Sequence, residues 1–319
     1  LVVGLLLLFS VSPVLGRPDW PPSGNAVVFP VIRDTWVSSV GGERKGNNGR
    51  SSLLKVKGRQ EFTLLDVDLE KLKGRLVSGA LIHLRSSTPR KAPLGRLGVS
   101  SITGAWHEGT SRYYIPQNGS ACFEQGRYNR HHWAYPGSTI LDVIFSRGHS
   151  LWRFSDCSPP DPEGWQACAV DPDIVSARIA ELSEGFCIFD DLGSVWSEGK
   201  KGFRYLKLPN RFFYSRESKN SCPWLEVWVS GTDSVPPARV DAISAETTGV
   251  RPGETIVSWV TPEDSGGGKT LGFLASYKQG QLESQIPKYL VPMAGPAGST
   301  VRMRIQDLGL IPGEWFTLS

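Results

Sequence analysis

Apolar and polar residues alternate with a period of two in many short segments of this chain, and residues such as Gly, Pro, Asn and Ser separate the segments. That pattern predicts half-buried β-strands. The clearest case is Trp224 to Val229, where Leu225, Val227 and Val229 point one way and Trp224, Glu226 and Trp228 the other. Upstream, strands are expected at 34–40, 52–56, 61–69, 76–84, 97–102, 139–145, 152–154, 185–189, 203–208 and 213–214. In the segment 61–69, Thr63, Leu65, Val67 and Leu69 share one face, and Phe62, Leu64, Asp66 and Asp68 share the other. A single helix is expected between Val170 and Leu182. Asp171 stands at its N-cap, Pro172 at its first position, and Ile174, Val175, Ile179 and Leu182 on one face. Residues 110 to 137 carry few periodic signals and many aromatics. They read as a long loop, the kind of segment that carries function when it is ordered.

A Pro236-Pro237 pair marks a change of composition. Beyond it, short strands are expected at 240–245, 255–260, 271–277, 289–291 and 300–308, a spacing that signals a second, smaller sandwich. The fold class is therefore all-β: one large β-sandwich followed by a smaller one. The 319 residues are enough to bury a core in each. Gly 35 and Pro 23 agree with a turn-rich chain. A net charge of +4 with no run of five basic residues weighs against nucleic acid as a partner.

Two further features bear on location. Leu1 to Gly16 is an apolar run broken by Pro13, shorter than the roughly 20 residues of a membrane span. It reads as a signal peptide cleaved after Gly16, truncated at its N-terminus, with 17–29 as a Pro-rich leader. A secreted or cell-surface protein with no stable membrane span is expected. Of the five cysteines, Cys122, Cys157, Cys168, Cys187 and Cys222, the pair Cys157 and Cys168 brackets a Pro-rich loop that a disulfide would staple. An odd count leaves the pairing open. Cys187, in Gly-Phe-Cys-Ile-Phe, reads as a buried free thiol.

Catalytic signals are weak. Asp66 with Asp68, or Asp190-Asp191 with Glu198, offer paired acids for glycoside hydrolysis. Yet Asp66 and Asp68 share a strand face, and Asp190-Asp191 open a Gly-bearing turn. His131-His132 with His107 and His149 offer metal ligands, but adjacent histidines on an extended segment point to opposite sides. There is no Gly-x-Ser-x-Gly, Walker or dinucleotide motif. Ser215-Arg-Glu217 lacks a histidine partner and reads as an Arg216–Glu217 ion pair that fixes the closing strand. No catalytic residue and no cofactor are expected. A structural calcium would draw on Asp171, Asp173, Asp190 and Asp191. Asn118-Gly-Ser120 is a glycosylation acceptor pattern, idle in a bacterium.

The aromatics give the better signal. Trp106, Tyr113, Tyr114, Trp133, Tyr135, Trp152 and Trp165 concentrate in one region. Aromatic rings stack on sugar rings, and Arg112, Arg127 and Arg130 favour an anionic chain. The expected carbohydrate-binding set is Trp106, Arg112, Tyr113, Arg130, Trp133, Tyr135 and Trp165. The alternative for each Trp is that it anchors a loop to the sandwich.

Residues 30–232 resemble the DNRLRE-type domains, secreted bacterial jelly-roll modules related to polysaccharide-binding modules. The motifs that carry the resemblance are, in order, Asp34-Thr-Trp-Val, Leu65-Asp-Val-Asp-Leu69, Val77-Ser-Gly-Ala-Leu-Ile-His-Leu84, Trp106-His-Glu-Gly109, Gly185-Phe186, Phe213-Tyr-Ser-Arg-Glu217 and Pro223-Trp-Leu-Glu-Val-Trp-Val229. The chain departs from the pattern in a long insertion at about 110–170. Residues 236–319 look like a fibronectin type III domain, incomplete at its C-terminus, with Val257-Ser-Trp259 and Leu310-Ile-Pro-Gly-Glu-Trp315 as its marks and Trp315 where the family usually has Tyr. The resemblance implies a jelly roll whose last strand lies beside Asp34 to Val40. It also implies an exported, non-catalytic module for an extracellular polysaccharide, joined to a spacer. The alternatives are an adhesive surface protein that binds other proteins, and the accessory part of a polysaccharide-degrading enzyme whose catalytic domain lies beyond Ser319.

Overall fold

The computed structural model describes residues 25–58, 60–88, 94–146, 148–190, 194–197, 202–205, 209–247, 254–306, 308–311 and 315–319. The chain is all-β, as its alternation requires. In order it forms β1 (Asn25–Ser38), β2 (Leu53–Val56), β3 (Glu61–Val67), β4 (Arg75–Arg85), β5 (Arg96–Ser101), helix α1 (Leu141–Ile144), β6 (Trp152–Asp156), β7 (Trp165–Val170), helix α2 (Pro172–Ile179), β8 (Phe186–Asp190), β9 (Ser194–Ser197), β10 (Gly202–Tyr205), β11 (Arg211–Tyr214) and β12 (Trp224–Thr232). Eight of these strands make one sheet in the order β6-β5-β8-β3-β1-β12-β4-β7.

Strand β1 serves both halves of that sheet. Asn25 to Pro30 pairs with β12, and Val31 to Ser38 pairs with β3. A register shift between Val31 and Arg33 bends the strand at the changeover. The closing strand β12 therefore lies beside residues 25–30 of β1. It does not lie beside Asp34 to Val40, whose neighbour is β3. At the far ends, β6 and β7 meet at the Cys157–Cys168 disulfide, which nearly closes the sheet on itself. The expected staple is therefore present. Cys122 and Cys187 are buried free thiols, and burial pushes the Cys187 thiol well up.

The first core lies between the two halves. Phe29, Trp36, Leu65, Val67, Ile82, Leu84, Leu225 and Val227 fill it, with Ile174 and Val175 from α2. Asp171 caps α2 as expected, its Oδ1 accepting from the Asp173 amide at 2.9 Å. A second core lies on the other face of β3. Phe62 and Leu64 pack there with Val37, Cys187 and Phe189 against Ile102, Trp106, Phe123, Trp133, Ile140 and Val143. Every residue of β3 is consequently buried. The outer layer of this core is a cap formed by residues 102–145.

Several expectations need revision. Residues 139–145 form no strand. The Asp142 carboxylate accepts the Thr139 amide at 2.7 Å and starts the short helix α1, which buries Val143 and Ile144. The expected strand 289–291 falls instead on a 3-10 turn, Lys288–Leu290, and its C-cap Val291. Strand β7 lies where a loop was expected. Beyond the Pro pair, β13 (Ser244–Thr247), β14 (Thr255–Val260), β15 (Ser276–Gln279), β16 (Leu282–Gln285), β17 (Thr300–Ile305) and β18 (Thr317–Leu318) build two three-stranded sheets, β13-β14-β17 and β16-β15-β18. Val257, Trp259, Tyr277, Val301 and Met303 form their own core. The Lys269–Asp173 pair at 2.7 Å reaches from these sheets to α2. Among the described residues no helix is long and apolar enough to cross a membrane. The expected signal peptide 1–16 and residues 17–24 of the expected leader lie outside the described residues, whereas residues 25–29, also assigned to the leader, belong to β1 because they pair with β12.

Candidate functional site

The cap brings together three stretches that are distant in sequence: 44–50, 110–115 and 127–132. Asn47 joins the first two. Its backbone amide donates to the Ile115 carbonyl at 3.3 Å, and its side-chain amide donates to the carbonyls of Glu108 and Ala121 at 2.7 and 3.0 Å. The Arg50 amide donates to Ser111 O at 2.9 Å, and Asn48 Oδ1 accepts the Tyr114 amide at 3.1 Å. The third stretch joins through Gly119 N to Tyr128 O at 2.8 Å and Asn129 Nδ2 to Asn118 Oδ1 at 2.9 Å. A continuous rim results.

The backbone of this rim is strained at one place. Tyr113 and Tyr114 both have φ of 58°, the left-handed region that side chains disfavour. Two such residues in succession persist only where the surroundings enforce them. Here Gly46 packs on the Tyr114 backbone so closely that an added Cβ would lie 2.4 Å from Tyr114 O. Tyr114 turns inward, edge-on to Trp36 with ring centroids 4.8 Å apart. Tyr113 is forced outward and is 76% exposed. The Arg112 guanidinium stands 5.3 Å from the Tyr113 ring.

A polar groove of about 390 Å³ opens on the same rim, lined by Arg44, Lys45, Tyr128, Asn129 and His132 among others. Arg44 is held by Glu124 at 2.9 Å. Lys45, Arg50, Arg112, Arg127 and Arg130 are exposed, and none is in an ion pair among the described residues. The groove is polar, and Lys45 and Asn129 in its lining are exposed.

The seven predicted binding residues fall into three groups. Arg112, Tyr113, Arg130 and Tyr135 are exposed on the cap, as a binding role requires. Tyr135 donates its hydroxyl to Asp142 at 2.8 Å, and that bond pushes the phenol pKa up. Trp106 and Trp133, 2% and 0% exposed, belong to the second core and offer no ring face to a ligand. Their indole N–H groups are consumed internally, Trp106 on Glu184 O and Trp133 on Cys122 O, both at 2.9 Å. Trp165 is half-buried on β7 opposite Arg85, in the sheet half that lacks the cap, and does not join the rim. Sequence reasoning missed Lys45, Tyr128 and Asn129, and read His132 only as a candidate metal ligand. The clustering of basic and aromatic side chains at 127–132 was the available signal.

Three of the motifs that carried the family resemblance meet elsewhere, at a junction around the buried Asp34. The Arg216 amide donates to Asp34 Oδ2 at 2.8 Å, and the Asp34 amide donates to Glu108 Oε1 at 2.7 Å. The Arg216 guanidinium grips Glu108 through two bonds of 2.7 and 2.6 Å. Glu217 stands 3.4 Å from Arg216, so the expected Arg216–Glu217 pair is secondary to one with Glu108. Burial holds the Asp34 carboxyl well above the usual range. The bonds from Glu108 push the Arg216 pKa up. Asp34, Glu108 and Glu217 lie close enough to share a cation, but Arg216 already supplies one.

The other acids are engaged too. Asp66 is held by Arg33 at 3.0 Å and Arg178 at 2.7 Å, while Asp68 is exposed. Asp190 pairs with Arg211, Asp173 with Lys269, and Asp171 with Arg153 at 3.4 Å. The proposed calcium ligands Asp171, Asp173 and Asp190 thus each have a cationic partner. Asp191 and Glu198 lie outside the described residues. His131 and His132 are on the cap turn, His107 Nδ1 accepts the Gly109 amide at 3.2 Å, and the four histidines form no shared site among the described residues. No family model and no curated protein matches the chain.

Proposed function

We propose that this chain is an exported, non-catalytic module that binds an extracellular polysaccharide through the rim of the 102–145 cap. The region 30–232 acts as a DNRLRE-like jelly roll with the cap as its elaboration, and 236–319 acts as a fibronectin-like spacer. The observation that carries the reading is Tyr113, an aromatic ring held out into solvent by a strained turn. Strain of this kind is kept where a side chain must be aimed, and an exposed aromatic face is what stacks on a sugar. The five exposed basic side chains, in no ion pair among the described residues, favour an acidic chain. The disulfide agrees with an oxidising compartment. Pairing of Asp66, Asp190 and Glu108 with arginines leaves these acids poorly suited to proton transfer, which supports a binding role.

Affinity gel electrophoresis tests the reading. Migration of the native protein is expected to slow in gels containing polygalacturonate and to be unaffected by neutral dextran. Unretarded migration in acidic and neutral polysaccharides alike would dismiss the reading.

A further inference from the structure

Beneath the displayed Tyr113 lies a buried polar chain that the binding surface itself does not use. Lys55 on β2 donates to Glu61 Oε1 on β3 at 2.8 Å and to the Tyr114 hydroxyl oxygen at 3.0 Å. The Lys55 ammonium also faces the rings of Trp36 at 5.1 Å and of Tyr114 and Phe212 at 5.8 Å. Ser38 on β1 donates to Glu43 at 2.7 Å and stands 3.4 Å from Glu61 Oε1. Glu61 is 3% exposed. Its second oxygen, Oε2, is buried without a hydrogen-bond partner, as is the Trp36 indole N–H. A buried charge with half of its acceptor capacity unused is expensive to keep. The strained turn is the element that depends on it. Tyr114 is fixed by its ring against Trp36 and by its hydroxyl on Lys55, and Lys55 is fixed by Glu61.

We propose that Lys55 and Glu61 are positioning residues: their buried ion pair anchors Tyr114, and through it holds the left-handed turn that aims Tyr113 at the ligand. The device works only while Glu61 is ionised. The groups facing the Glu61 carboxylate are Lys55, Tyr114, Ser38 and Glu43, and Lys57 is bridged to its backbone. Burial pushes the Glu61 carboxyl up. Burial works to lower Lys55, but its bonds to Glu61 and Tyr114 outweigh that and raise it. On acidification Glu61 therefore takes up its proton at a higher pH than an ordinary carboxyl, while Lys55 stays charged. Protonated Glu61 no longer holds the ammonium by charge, and the turn loses its anchor. The coupling to affinity rests on the proposed polysaccharide reading; the anchoring of the turn does not.

The test follows the Tyr113 and Tyr114 ring-proton NMR signals of the full chain from neutral to acidic pH without ligand, in the native protein, Glu61→Gln and Tyr114→Phe. The native signals are expected to shift together on acidification, and Glu61→Gln is expected to flatten that shift. Tyr114→Phe keeps the ring on Trp36 and removes only the hydroxyl. It is expected to speed amide exchange at 112–115 about three- to tenfold, as the loss of one hydrogen bond would. Identical titrations in the native protein and Glu61→Gln, or unchanged exchange in Tyr114→Phe, would overturn the proposal. A parallel titration with polygalacturonate separates the two ideas. If Tyr114→Phe loosens the turn while the native protein binds no polysaccharide, the anchoring stands and the polysaccharide reading falls.

Discussion

The underside and the rim of the cap both draw their aromatics from residues 102–145, yet these aromatics do opposite work. Trp106 and Trp133, on the underside, complete the second core and bond their indoles to carbonyls. Tyr113 and Tyr135, on the rim, are 76% and 53% exposed. The contrast teaches that clustering of aromatics in sequence reports two different events. A sheet half with apolar residues on both faces, as in β3, has to be covered, and large side chains do the covering. Only what remains outside after that is available for recognition.

The sharpest way to break the comparison is at Trp133. Trp133→Ala is expected to cost about 3–5 kcal/mol, read from urea unfolding. A near-neutral result would mean the underside is not a core. Next is the clasp of the sheet. Replacing both Cys157 and Cys168 by Ser opens a loop of 11 residues' separation and is expected to lower stability by about 2–3 kcal/mol. The junction of the three motifs follows. Glu108→Gln replaces the charged partner in the two-bond grip on Arg216, leaving Glu217 as its remaining ion pair, and should cost about 1–2 kcal/mol.

A pH dependence sharpens the same junction. The folded Asp34 carboxyl is raised by burial above its ordinary value of 3.8. The folded state therefore holds this proton more tightly than the unfolded chain. Its contribution to stability is full below the ordinary value and is lost as pH rises through the folded one. Asp34→Asn should remove that decline, so the difference between the variant and the native protein grows with pH over this range. An unchanged difference in chemical-denaturation stability would contradict the burial argument. The smallest effect belongs to the rim. Tyr113→Ala is expected to leave stability within about 0.5 kcal/mol.

Much of the fold was legible from alternation alone. The strands around Leu65, Ile82, Val99 and Val227 follow from it, as does helix α2 from Asp171 and Pro172. What was not legible has physical causes. The apolar run 139–145 has no strand partner, and Asp142 captures the Thr139 amide and nucleates a turn of helix instead. The bend in β1 sends Asp34 to β3 and residues 25–30 to β12, a division that a period-two pattern does not encode. The binding set divided because periodicity is silent in the cap, so nothing there marks which aromatic turns inward. The partner of Arg216 was missed for a related reason. Glu217 is adjacent in sequence, while Glu108 arrives only through the cap.

The most direct test of the account is the affinity of the native protein and of Tyr113→Ala for polygalacturonate, measured by isothermal titration at one pH and salt concentration. The account predicts about a tenfold loss of affinity in a variant whose unfolding midpoint is unchanged. Equal affinity in the two proteins would contradict it.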